Sequence, residues 1–98
     1  MRVLIACVVA VTIAGTALAH EKFKFVGTVA AVQKDEIAIK AIDGAVYEMD
    51  YSDATAVTDK NHRKIDRALL KAGEKVVVIA LGHDMFDLEA VEVQLTDR

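Results

Sequence analysis

Residues 73–95 read GEKVVVIALGHDMFDLEAVEVQL, and this stretch constrains the fold more than any other. Residues 74–81 form an apolar, β-branched run of the length of one strand buried on both faces. A tight turn is predicted at 82–84, followed by a second strand over 85–95. Val91, Val93 and Leu95 are expected to point inward and Glu92 outward. Phe86, Leu88 and Ala90 fall in the opposite phase, which predicts a bulge near Glu89 and Ala90. The rest of the chain must pair with these two strands.

Three further strands are predicted upstream. Residues 22–32 open with Phe23 and Phe25 alternating against Lys22 and Lys24. The alternation fails after Gly27, where Val26, Val29 and Val32 no longer share a face, as in a sharply curved first barrel strand. Residues 36–41 alternate cleanly, with Ile37, Ile39 and Ala41 inward. Asp43-Gly44 is a strong hairpin signal. It leads into residues 45–51, where Tyr47, Met49 and Tyr51 share one face and Val46, Glu48 and Asp50 the other. Residues 55–58 add a short extended piece, and residues 59–64 form a polar loop.

One helix is expected, over residues 67–72. Asp66 is placed to cap it, because its carboxylate accepts from an otherwise orphan backbone N–H. Ile65 and Leu70 sit at the two ends of a hydrophobic staple, and Gly73 supplies the left-handed residue that ends it. Two turns are not stable alone, so Leu69 and Leu70 must dock on the core. Three strands, a short helix and two strands make an all-β chain with small α content. The arrangement is that of a five-stranded OB-like Greek-key barrel plugged by the helix, with an open β-roll of the same strands as the alternative.

The first 19 residues are read apart from this fold. Met1 and Arg2, an apolar run over 3–13 and the small-x-small site at Ala17, Leu18 and Ala19 have the layout of a cleaved secretory signal peptide. Residues 20–98 then form a single domain, expected in the periplasm and without a membrane span. The one cysteine, Cys7, leaves with the leader, so disulfides and thiolate sites are excluded from the mature domain. Of 12 basic residues, Arg2 is also lost, leaving 11 against 15 acidic and a net charge of −4. That balance lacks the footprint of a nucleic-acid binder.

Gly27-Thr28-Val29, Asp43-Gly44, the ALLKAG run over 68–73, the valines 76–78 and Ala90-Val91-Glu92-Val93 together resemble small exported bacterial OB-fold domains of unknown function. The resemblance spans nearly all of residues 20–98 and implies the barrel, since its motifs are structural. The barrel is also similar to the CusF-type periplasmic copper/silver chaperones. In that family a second-strand histidine, a tryptophan and two methionines in an M-x-M-D-F run hold the metal. Here the matching run is Tyr47-Glu48-Met49-Asp50-Tyr51, Lys40-Ala41 offers no histidine, and the chain has no tryptophan. The family's metal site is therefore not carried over.

Two sets of site residues remain. Cleavage after Ala19 makes His20 the first residue, and its α-amine and imidazole form a bidentate nitrogen chelate suited to copper(II). His83 and Met85 are the further candidate ligands, with Asp84 and His62 also available. A frayed terminus and an ordinary polar turn account for the same histidines. Tyr47, Met49 and Tyr51, with Phe23 and Phe25, either line an open barrel mouth that binds a ligand or form plain core. The basic residues around His62 read as a small anion patch or as a solvated loop with Asp59 and Asp66 interleaved. Glu48 with Asp50, and Asp87 with Glu89, read as the wet face of an antiparallel sheet rather than an acid–base pair. No nucleophile set, phosphate loop or metalloenzyme spacing occurs, so a binding or accessory module is expected rather than an enzyme. Its partner is then either a metal ion or an envelope protein.

Overall fold

The computed structural model describes residues 21–84 and 86–98. Six strands follow in order: β1 Glu21–Val32, β2 Glu36–Ala41, β3 Val46–Asp50, β4 Ala56–Thr58, β5 Lys75–Asp84 and β6 Asp87–Leu95. β1 pairs antiparallel with both β2 and β5, β2 with β3, and β5 with β6. A parallel bridge between Asp50 and Glu89 joins β3 to β6 and completes a ring of five strands. β4 lies outside that ring, parallel to β6. The alternation read in the sequence fills the ring. Ile37, Ile39, Val78, Val93 and Leu95 are fully buried, and Met49 is 1% exposed. Each such aliphatic side chain contributes about 1.5–3 kcal/mol on leaving water.

β1 is twelve residues long because it serves two partners in turn. Residues 21–28 pair with β5 and residues 27–32 with β2. Gly27 lies where the two pairings overlap, and a Cβ there would sit 2.0 Å from the Lys40 carbonyl oxygen. Only glycine lets β2 approach so closely. The register then slips at Ala30, since Val29 faces Ile39 and Ala31 faces Ala38. Ordinary alternation turns Val26 outward between the buried Phe25 and Val29, whereas past the bulge Val32 faces Ile37 at the strand end and stays 37% exposed.

The β2–β3 connection is a three-residue loop. Ala41 N–H donates to the Ala45 carbonyl at 2.8 Å and Gly44 N–H to the Ala41 carbonyl at 2.9 Å. Gly44 adopts φ 92°, the left-handed position such a loop demands.

The expected helix over 67–72 is one 3-10 turn, Arg67–Leu69. Asp66 caps it as predicted, its Oδ1 accepting from Ala68 N–H at 2.9 Å. The turn stops early because the chain is called back to β1. Gly73 N–H donates to the Val29 carbonyl and Val29 N–H to the Glu74 carbonyl, both at 2.9 Å. Leu70 turns extended and buries itself, with Ile65 and Leu69 packed beside it. Gly73 takes the expected left-handed conformation at φ 97°.

Three expectations for the last strands are corrected. The turn does not fall at 82–84, since β5 continues to Asp84. Gly82 serves close strand approach instead, as a Cβ there would lie 1.9 Å from the Asp87 carbonyl oxygen. The bulge of β6 sits at Val91, one residue beyond the expected place, because Ile79 faces Glu92 while Ala80 faces Ala90. Val91 is thereby turned outward, and Leu88 and Ala90 share the interior with Val93 and Leu95. β5 is not buried on both faces either. Val76, Val78 and Ala80 are buried, whereas Val77, Ile79 and Leu81 are half-covered.

Candidate functional site

The ring closes at a seam between β3 and β6. Among the described residues β3 pairs with β6 only at the Asp50–Glu89 bridge, and no other pairing joins β3 to the β5–β6 hairpin. A cleft of about 650 Å³ lies between them, lined by Val46, Tyr47, Glu48 and Phe86. That volume falls in the usual range for ligand sites. Phe86 stands on its lip, 95% exposed. The Asp84 carboxylate accepts from Phe86 N–H at 2.8 Å and shapes the hairpin tip. A further groove shares Tyr47 and runs on to Val26 and Ile42, where Ile42 is 85% exposed.

Of the aromatic–methionine stripe, Tyr47 alone reaches this surface. Its ring packs 4.8 Å from that of Phe25, which in turn stacks on Phe23. Met49 and Tyr51 lie in the core. The Arg67 guanidinium lies 4.8 Å over the Tyr51 ring and donates to the carbonyls of Ser52 and Thr55. The sequence pattern does not mark Phe86 or Val46 as ligand-facing. A phenylalanine between Asp84 and Asp87, in a segment of turn-forming residues, was the signal available.

Among the expected metal ligands, His20 and Met85 lie outside the described residues. His83 is exposed and occupies a slip in the β5–β6 register, between Gly82 and Asp84. The first described residue of β1, Glu21, is paired with Gly82, the residue before His83. No group of three or more histidine, cysteine, aspartate or glutamate side chains among the described residues is arranged to hold a metal ion.

His62 belongs to a different cluster. Its φ of 64° is left-handed. Its Nδ1 lies 2.9 Å from Glu92 Oε2, which also accepts from the Thr58 hydroxyl at 2.7 Å. The hydrogen bond from His62 and then that from Thr58 hold the Glu92 carboxyl below the ordinary glutamate value, against partial burial. Asp59 is likewise lowered, first by the backbone N–H of Arg63, which fastens the same loop. Both the hydroxyl and the imidazole are spent on the carboxylate. This arrangement ties the 59–64 loop to β6 and does not form a nucleophile–base relay, in which the hydroxyl would bond the imidazole.

Against known proteins, no family model, no curated protein and no solved structure matches this chain.

Proposed function

We propose that the protein is a small OB-type barrel, exported to the periplasm by a cleaved leader, that acts as a binding module without catalysis. The strand order β1-β2-β3-β6-β5 with a parallel β3–β6 contact supports the OB reading, with the 3-10 turn in the place of the usual helix. The observation that carries the binding role is the open seam with Phe86 on its lip. Phe86 is not alone, since Val46 beside it and Ile42 along the groove that shares Tyr47 are also exposed, and a contiguous apolar patch marks an interaction surface. The partner in this reading is another protein of the envelope.

The test is a photo-crosslinking residue placed at position 86 in cells that export the protein, compared with the same residue at position 34 or 71, on other parts of the surface. A discrete adduct from position 86 alone supports docking through the seam. Equal labelling from all three positions refutes it.

A second reading, copper handling through His20, draws on the pairing of Glu21 with Gly82 next to His83. Copper(II) and copper(I) titration of protein processed in the cell, with intact mass confirming His20 as the first residue, decides it. Sub-micromolar binding at one equivalent that is lost in His20→Ala upholds the metal role. Weak or His20-independent binding removes it.

A further inference from the structure

The seam has a backbone chemistry that the lining side chains alone do not reveal. Ala41 and Ala45 form a hydrogen-bonded pair of the β2–β3 ladder. Antiparallel ladders alternate hydrogen-bonded and non-bonded pairs. The register Ile39 to Tyr47 and Ile37 to Met49 therefore spends the backbone groups of Tyr47 and Met49 on β2. Those of Val46, Glu48 and Asp50 point the other way, across the seam. Asp50 meets β6 at the bridge to Glu89. Among the described residues no ladder pairs Val46 or Glu48 with any strand but β2, and both residues line the cleft in which Phe86 stands. A short length of unpaired strand edge beside an apolar lip is a template for another strand.

The charges there select the kind of strand. Across residues 46–50 and 82–89, apart from His83, every charged side chain is a carboxylate: Glu48, Asp50, Asp84, Asp87 and Glu89. All five are exposed, and none has an ion-pair partner among the described residues. The bridge that closes the ring sets two of them, Asp50 and Glu89, against each other, and like charges in facing positions are destabilising. The nearest lysine by register is Lys40, opposite Val46 on β2. A second copy of the chain docking edge to edge would bring the same carboxylates together. A strand carrying lysine or arginine would neutralise them.

We propose that the seam between β3 and the β5–β6 hairpin takes up an extended, basic segment of a partner protein, which hydrogen-bonds to the free edge of β3 at Val46 and Glu48 and packs an apolar side chain against Phe86. The inference rests on the seam being the binding face and adds the mode and chemistry of what binds there.

The probe is a short end-blocked peptide alternating lysine with valine. Two matched controls replace its lysines by glutamates or methylate alternate backbone nitrogens. Amide exchange is followed residue by residue. Expected results are slowed exchange at Val46 and Glu48 with the lysine peptide, no binding of the glutamate peptide, and weakening by about tenfold or more on backbone methylation. Val46→Pro removes one seam-facing donor without a β2 ladder bond and is expected to weaken the peptide similarly. If that variant unfolds, the methylated peptide carries the test by itself. Failure of the lysine peptide to bind overturns the proposal, as does binding with unchanged exchange at Val46 and Glu48, or equal binding of the methylated peptide. Loss of binding in Phe86→Ser alongside either of the last two results keeps the seam as the binding face and discards strand pairing. Crosslinking from position 86 tests the binding face independently.

Discussion

Replacing Gly27 by alanine tests whether the ring owes its shape to a single missing methyl group. The added Cβ would meet three backbone atoms of β2: Lys40 O at 2.0 Å, Lys40 C at 2.8 Å and Ala41 Cα at 2.9 Å. Carbon and oxygen not bonded to each other need more than 3 Å, so β1 and β2 must separate by about an ångström. None of the three atoms belongs to a side chain that could rotate away. Overpacking of this kind costs about 1–3 kcal/mol. Separation also weakens the bond from Ile42 N–H to the Val26 carbonyl, now 3.1 Å, worth about 1 kcal/mol. The expected loss is about 2–4 kcal/mol from a total near 5–15 kcal/mol, or roughly 10–30 °C in Tm for a domain of this size. Gly44→Ala is the internal control. Its Cβ meets nothing within 4 Å, and only the φ of 92° opposes it, at about 1–2 kcal/mol. Urea unfolding of both variants ranks the two costs. A Gly27→Ala protein as stable as the parent, or more stable than Gly44→Ala, would refute the close-approach argument.

Two further outcomes are expected. Glu92 is held below the ordinary glutamate value, so its stabilisation is fully present above that value, about 4.5, and is lost as pH falls through the lower folded value. Glu92→Gln should therefore flatten that part of the acid limb and cost about 0.5–1 kcal/mol at neutral pH, a small figure because His62 is mostly in solvent. Unfolding midpoints across an acid pH series check this, and parallel profiles for the two proteins would count against it. Arg67→Lys keeps the charge but loses the fork that bonds two carbonyls and covers Tyr51. A loss of about 1–2 kcal/mol is expected by chemical denaturation, and an unchanged midpoint would show that the fork contributes nothing.

Much of the local structure was legible from residues alone. β2 spans 36–41 as read, Asp66 caps its turn, and Gly44 and Gly73 take positive φ. These features depend on side-chain alternation, on one carboxylate near one N–H, and on the missing Cβ of glycine, all of which are local. Local signals extend the helix too far because the pull of Val29 on Gly73 and Glu74 comes from a strand more than forty positions away. Alternation alone points Val91 inward, whereas the bulge changes the phase and the partner strand decides where it falls. The aromatic–methionine stripe was found, but which member meets solvent depends on where the ring stays open.

The sequence by itself determined the elements: short alternating strands, their turns, and an acidic chain whose single cysteine lies in the leader-like segment. Only the tertiary structure decided how those strands pair, that Asp50 and Glu89 close the ring, and that Val46, Tyr47 and Phe86 border one cleft. It also joined His62 to Glu92, thirty residues apart. Periodicity records which side of a strand is apolar, but not which strand lies beside it. Pairing is settled only when the whole core closes, because each strand's register must satisfy both of its neighbours at once.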